Sequence, residues 1–192
     1  TISTQIADMA FSNQRFRYLT EAISTNLDGL ERKPVIMSVC RYNSVELAED
    51  MLATEKADMI GMARAHVADP DLVNKAYSRN VEDTIPCIGC NQGCADMLAQ
   101  SLAISCLTNP RAGKEADWPA PFLQLTKVKK PVLVVGGGPA GMEASGILAE
   151  RGFSVTLADC HSVLGGTLNW LEKMPLRQEF LKLKKRQMRR LE

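Results

Sequence analysis

Residues 132–141 read VLVVGGGPAG. Four apolar residues, mostly β-branched, run straight into Gly136-x-Gly138-x-x-Gly141, and Met142 to Arg151 then reads as a helix that Gly152 ends. Strand, glycine turn and helix in that order are the dinucleotide-binding fingerprint of a parallel α/β fold. Gly136 makes the turn, Gly138 lets the backbone approach a pyrophosphate, and Gly141 lets the helix lie close to the strand. The helix N-terminus then faces the phosphates. A second strand, Ser154 to Ala158, ends at Asp159, about 20 residues on, where an acid binds a ribose hydroxyl. Gly165-Gly166 follows in a loop able to pack against the pyrophosphate. FAD, NAD and ADP share the adenosine half, so the motif by itself selects none of them. A glycine turn without a ligand has the same pattern.

Working back toward the N-terminus, Arg111 to Lys130, with Trp118, Pro119 and Pro121, reads as an extended linker. Before it, Thr84 to Pro110 holds Cys87, Cys90, Cys94 and Cys106 at the spacing Cys-x2-Cys-x3-Cys-x11-Cys. Three thiolates within eight residues can wrap one face of a compact metal centre, and the fourth returns from a short loop to close it. A [4Fe–4S] cube takes one thiolate per iron. Gly89 and Gly93 let the backbone bend around it. The competing readings are a structural Zn²⁺ site, which more often uses two separated Cys-x2-Cys pairs or a His, and a disulfide framework.

The first part of the chain alternates. Phe11 to Ile23 reads as a short amphipathic helix, and Lys33 to Val39 as a buried strand. Ser44 is an N-cap for a helix with Leu47 and Leu52 on its apolar face and Glu46, Glu49 and Asp50 near its start. Asp58 to Met62 is a second buried strand, and Asp69-Pro70 opens another helix with Pro in its first turn. This is a parallel α/β unit. Arg41 and Arg64 each follow a strand, where ligands of such sheets gather and where a barrel binds phosphate. A solvated surface arginine fits the same positions. Cys40 and Cys160 read as buried thiols.

The chain has 192 residues, 45% apolar and 23% charged, with a formal net charge of +1. That is the balance of a soluble globular protein, and it points to neither nucleic acid nor membrane. No apolar run approaches the roughly 20 residues of a membrane span, and no signal-peptide pattern opens the chain. The first residue is Thr, and the basic segment Leu176 to Glu192 ends in a helical pattern without a stop signal, so a piece of a longer chain is expected. That basic segment fits a surface helix with one apolar stripe. Trp118 and Trp170 read as covers for the linker and domain edge, and His66 and His161 as structural or exposed, without partners at ligand spacing.

Taken in order, KPVIMSVCRYNSVELAEDML, ADMIGMARAHVADPDLVNKA, PCIGCNQGCADM with SCLTNPRAG, and VLVVGGGPAGMEA with GGTLN resemble the iron–sulfur flavoenzymes of the Old Yellow Enzyme superfamily. That group includes 2,4-dienoyl-CoA reductase, 2-enoate reductases and bacterial amine dehydrogenases. The resemblance implies an α/β fold in four parts. Residues 1–83 would be the C-terminal part of an FMN-binding TIM barrel, 84–113 a [4Fe–4S] segment, 114–130 a linker and 131–192 the start of a Rossmann-like FAD/NAD(P)-binding domain. Arg41, Ala63 and Arg64 would cradle the FMN phosphate, although the family usually has Gly where this chain has Cys40. Cys87, Cys90, Cys94 and Cys106 would hold the cluster. Gly136, Gly138, Pro139, Ala140, Gly141, Asp159, Gly166 and Thr167 would hold FAD or ADP.

No catalytic acid or base is implied within these residues, because the family's proton donors lie in the earlier barrel strands. Its nicotinamide segment lies beyond Glu192. The implied activity is NAD(P)H-dependent reduction of an activated C=C bond, with electrons running from FAD through the cluster to FMN. Cys90-x3-Cys94 and SCLTNPRAG are similar to the reductases, since the amine dehydrogenases typically have one residue fewer between those cysteines. The alternatives are an amine dehydrogenase that passes electrons to an external acceptor and a non-catalytic electron-transfer module of a split enzyme. The implied partners are NAD(P)H, a small organic substrate and the remainder of the barrel and nucleotide domain, with neither nucleic acid nor membrane, in the cytoplasm.

Overall fold

The computed structural model describes residues 6–118, 124–128 and 130–192. Residues 119–123 and 129 of the expected linker lie outside them. The chain divides between Ala112 and Gly113 into two compact units.

In the first unit the described elements are α1 (Arg17–Asn26), β1 (Met37–Ser38), α2 (Val45–Leu52), β2 (Met59–Ile60), α3 (Ala63–Ala68), α4 (Leu72–Tyr77) and, after a π-helical turn at Gln92–Asp96, α5 (Met97–Ala99). β1 and β2 are parallel, with Met37 opposite Met59 and Ser38 opposite Ile60. Both strands are shorter than the sequence implies, because each end of the ladder is stopped. The Asp58 carboxylate accepts the Ile36 N–H at 2.8 Å, so a side chain closes one end of the ladder. At the other end Cys40 and Arg41 turn into the left-handed region, with φ of 84° and 60°. α1 also starts later than expected, because Gln14 has φ of 53° and cannot continue a helix.

Ser44 caps α2 as its sequence predicts, its Oγ accepting the Leu47 N–H at 3.4 Å. The buried face of α2 is Ala48 and Met51, while Leu47 packs only partly. Met51 forms the core with Tyr42 and Ala57, against which Ile60 and Met62 also pack. Its complete burial is worth about 1.5–3 kcal/mol. The strand flanks are not buried as expected: Val35, Met37, Val39 and Met59 are all about half exposed or more. Two paired strands leave one face open unless further elements cover it.

α4 begins at Leu72, so Pro70 precedes the helix instead of opening it. Asp69 is fully buried there. Its carboxylate accepts the N–H groups of Asp71 at 3.0 Å and Ile85 at 2.8 Å and pairs with Lys75 Nζ at 2.5 Å. It therefore ties the α3–α4 corner to the start of the cysteine-rich loop.

The second unit contains β3 (Pro131–Val135), α6 (Pro139–Glu150), β4 (Ser154–Ala158), α7 (Leu168–Leu171) and α8 (Glu179–Arg189). β3 and β4 are parallel over five rungs, from Pro131 opposite Ser154 to Val135 opposite Ala158. α8 lies on α6. Arg190 pairs with Glu143 at 2.7 Å and Glu150 at 2.6 Å, Arg186 reaches Glu143 at 3.6 Å, and Leu183 is buried. Much of the basic character of this segment is thus matched by carboxylates of its own unit. No helix among the described residues is long and apolar enough to cross a membrane.

Candidate functional site

The first unit brings both strand-end arginines onto one cavity. Arg41 follows β1 and is only 6% exposed, so it is no solvated surface arginine. Its Nε and Nη2 donate to Asn13 Oδ1 at 3.2 and 2.9 Å, and its Nη1 donates to the Asp8 carbonyl. Arg64 lies in the first turn of α3, where the N–H groups of Ala63 and Arg64 have no acceptor within their own helix. Its Nη1 donates to Asn91 Oδ1 at 2.5 Å. Cys40, Arg41, Ala63 and Arg64 line a cavity of about 400 Å³ whose wall also includes Cys87 and Cys94. Cys40 is half-buried on that wall rather than an enclosed thiol, and its positive φ is a conformation that favours glycine.

The cysteine-rich loop folds back on itself. Asn91, with φ of 61°, turns the chain after Cys90 into the π-helical turn that carries Cys94. The return strand of the loop crosses at Gly93, whose carbonyl accepts the Ser105 N–H at 2.6 Å. That crossing delivers Cys106 to the other three: all four cysteines line a second cavity, with Asn91, Gly93, Ser105 and Thr108. Burial pushes the Cys87 thiol up, opposed by the Gly89 N–H directed at its sulfur and by the charge of Arg64. Burial likewise raises Cys90, opposed by the N–H groups of Gln92 and Gly93. These N–H groups favour the thiolate form that metal binding requires.

Four thiol donors on one cavity match the one ligand per iron of a [4Fe–4S] cube, and they match the four ligands of a structural zinc ion as well. None of the six cysteines is in a disulfide.

In the second unit the glycine turn is built as its spacing predicts. Gly136 has φ of 105°. A Cβ on Gly141 would lie 1.8 Å from the Gly136 carbonyl oxygen, so only glycine fits under the turn. Gly138 is different: nothing lies within 4 Å of where its Cβ would be. Pro139 takes the first turn of α6, and Ala140 beside it is exposed. The second glycine pair closes on the first, with the Gly165 N–H donating to the Gly137 carbonyl at 2.8 Å and Gly166 against Gly138. Thr167 then starts α7.

Asp159 follows the last residue of β4 and turns onto the glycine loop. Its Oδ2 accepts the Gly137 N–H at 2.5 Å, and its Oδ1 accepts the His161 N–H at 2.7 Å. The Gly137 N–H, then His161, hold its carboxyl down at about 2. Cys160 is exposed rather than buried, and its Sγ is 3.2 Å from His161 Nδ1. His161 is exposed but not without partners, since its Nδ1 is also 3.0 Å from Asp159 Oδ1. Their side chains are neighbours in sequence, which a search for spaced ligands passes over.

Sequence reading alone also misses Asn13, Asp8 and Asn91 as partners of the arginines. The one available signal is Asn91 itself, a residue type tolerant of positive φ placed between two ligand-type cysteines.

Residues 4–83 match the NADH:flavin oxidoreductase / NADH oxidase family, and residues 129–165 match an FAD binding domain. A metal reductase of Desulforamulus reducens is 43% identical over 151 residues, which are 78% of this chain and 22% of that relative. The chain therefore spans only about a fifth of the length of the curated relatives it matches. Among solved structures, the 2-naphthoyl-CoA reductase–2-naphthoyl-CoA complex superposes with a TM-score of 0.86 at 30% identity, over 96% of this chain and 27% of that one. Histamine dehydrogenase from Rhizobium sp. 4-9 superposes at 0.82 and 28% identity, over 96% of this chain and 26% of that one. Residues 4–83 are thus the end of a flavin-binding TIM barrel of the NADH:flavin oxidoreductase / NADH oxidase family, and the second unit is the start of a Rossmann-like FAD-binding domain.

Proposed function

We propose that this chain carries the FMN-phosphate end, the cluster loop and the first part of the FAD domain of an oxidoreductase that uses NAD(P)H to reduce an activated C=C bond. One observation carries the reading: the two cavities of the first unit share a wall. Arg64, Val67, Cys87 and Cys94 line both the arginine cavity and the four-cysteine cavity. A flavin phosphate on one side and a cluster on the other would be separated by a single layer of side chains.

In this reading Arg41 and Arg64, with the Ala63 N–H, bind the FMN phosphate as charge and hydrogen-bond donors. Cys87, Cys90, Cys94 and Cys106 are the cluster ligands. Gly138 leaves room for the pyrophosphate of FAD or ADP, with Gly136, Pro139, Ala140 and Gly141 shaping the turn, Gly166 and Thr167 facing it, and Asp159 toward the ribose. When bound, the cluster supplies one-electron transfer between two flavins. The overall reaction balances as NAD(P)H plus H⁺ plus alkene giving NAD(P)⁺ and the saturated product.

Residues 1–83, 84–113, 114–130 and 131–192 are then barrel end, cluster segment, linker and nucleotide domain. The remainder of the barrel covers the exposed strand flanks Val35, Met37 and Val39. Six free cysteines suit a reducing compartment such as the cytoplasm.

Anaerobic purification of the full-length protein tests the reading. About four irons and four sulfides per chain with FMN and FAD, and NAD(P)H-dependent alkene reduction, support it. One zinc and no sulfide sinks it. Oxidation of amines without alkene reduction moves it to the amine dehydrogenase branch, and cofactors without either turnover to an electron-transfer module.

A further inference from the structure

The segment between Cys87 and Cys94 touches both arginines of the neighbouring cavity. Arg41 packs on Gly89, where a Cβ would lie 2.5 Å from its Nη1. Arg64 Nη1 is held by Asn91 Oδ1 at 2.5 Å. Asn91 is itself anchored on the far side, its Nδ2 donating to the Ile6 carbonyl at 2.9 Å. Both hydrogen-bonding ends of its amide are therefore in use, and its backbone sits at φ of 61° in the turn that aims Cys90 and Cys94. The carboxamide is the link between a residue of the phosphate cavity and the backbone of the cluster loop.

Resting on the function proposed above, we infer that Asn91 is a positioning residue that couples flavin binding to the cluster. By holding the Arg64 guanidinium between the two cavities, it makes a formed cluster loop strengthen the grip on the flavin phosphate. Linkage then requires that bound FMN strengthen cluster retention by the same factor. The held guanidinium also keeps positive charge beside the cluster wall, which favours the more negative, reduced cluster and raises its potential.

The test compares FMN affinity of the full-length enzyme with and without its cluster, for the wild type, Asn91→Gly and Asn91→Asp. Glycine adopts the positive φ freely, so Asn91→Gly removes the side chain without straining the turn. Asn91→Asp keeps the acceptor for Arg64. A hydrogen bond to a charged group is worth roughly ten-fold or more in affinity. Asn91→Gly should bind FMN about ten-fold more weakly in the cluster-loaded form, with affinity no longer dependent on the cluster. Its cluster potential, followed by EPR, should fall; Asn91→Asp, which keeps the acceptor but sets a carboxylate against Arg64, should recover the dependence of FMN affinity on the cluster and not the potential. Unchanged FMN affinity and potential in Asn91→Gly overturn the inference. Should Asn91→Gly take up no iron, the wild type with and without its cluster decides, and equal FMN affinity of those two forms overturns it as well. A wild type holding neither iron nor FMN would instead sink the proposed function.

Discussion

Ser105 closes onto Gly93. Its N–H donates to the Gly93 carbonyl at 2.6 Å, and a Cβ on Gly93 would lie 2.6 Å from the Ser105 carbonyl oxygen. Both contacts are backbone, so neither can swing aside. Gly93→Ala should push the return segment away and carry Cys106 off the other three cysteines. The expected result is loss of most of the iron and sulfide, with destabilisation of about 1–3 kcal/mol. Metal and sulfide assay with urea unfolding checks it, and a full complement of iron in Gly93→Ala would contradict it.

Two glycines of the dinucleotide turn should separate cleanly. Gly141→Ala meets the Gly136 carbonyl at 1.8 Å and should disrupt the turn itself, lowering the melting temperature. Gly138 has φ of −75° and ψ of −177°, extended backbone open to any residue, with empty space at its Cβ. Gly138→Ala should therefore melt like the wild type yet retain less FAD. Thermal melts paired with flavin content distinguish the two, and equal flavin loss with equal melting shifts would refute the distinction.

Asp159 gives the pH prediction. Its folded carboxyl is held at about 2, below the ordinary 3.8. A depressed acid contributes stability that is fully present above the unfolded value of 3.8 and lost as pH falls toward about 2. The amide resonance of Gly137, which donates to this carboxylate, should titrate with a midpoint near the lower value. Asp159→Asn should abolish that titration, and a midpoint near 3.8 would show that the hydrogen bonds do not hold in solution.

Asp69 should matter more to stability than its sequence context implies. Asp69→Ala strands the Asp71 and Ile85 N–H groups and leaves Lys75 without its buried partner. Removing one side of such a pair costs about 3–5 kcal/mol. The midpoint of urea unfolding should fall accordingly, with iron retention weakened because Ile85 leads into Cys87. A change below 1 kcal/mol, roughly what an exposed pair is worth, would show the pair to be solvated.

Features that depend on neighbours along the chain are legible in the residues alone. The Gly136–Gly141 turn follows from backbone sterics, the Ser44 cap from one side-chain oxygen and a nearby N–H, and the strand β4 from a short run after the Gly152 helix end. Cysteine spacing marks a candidate metal-binding loop for the same local reason. Tertiary structure decided what depends on distant partners. Asp58 and the Cys40–Arg41 turn cut the first sheet to two rungs, which no propensity records. Cys160 reads as a core thiol by composition but lies outside because β4 ends one residue before Asp159 turns back to the glycine loop. Arg41 and Arg64 carry no local mark that distinguishes a phosphate ligand from a surface charge. What set them on one cavity, and against Gly89 and Asn91, is the folding of a loop some tens of residues away, because hydrogen-bond geometry between distant side chains exists only once the backbone has brought them together.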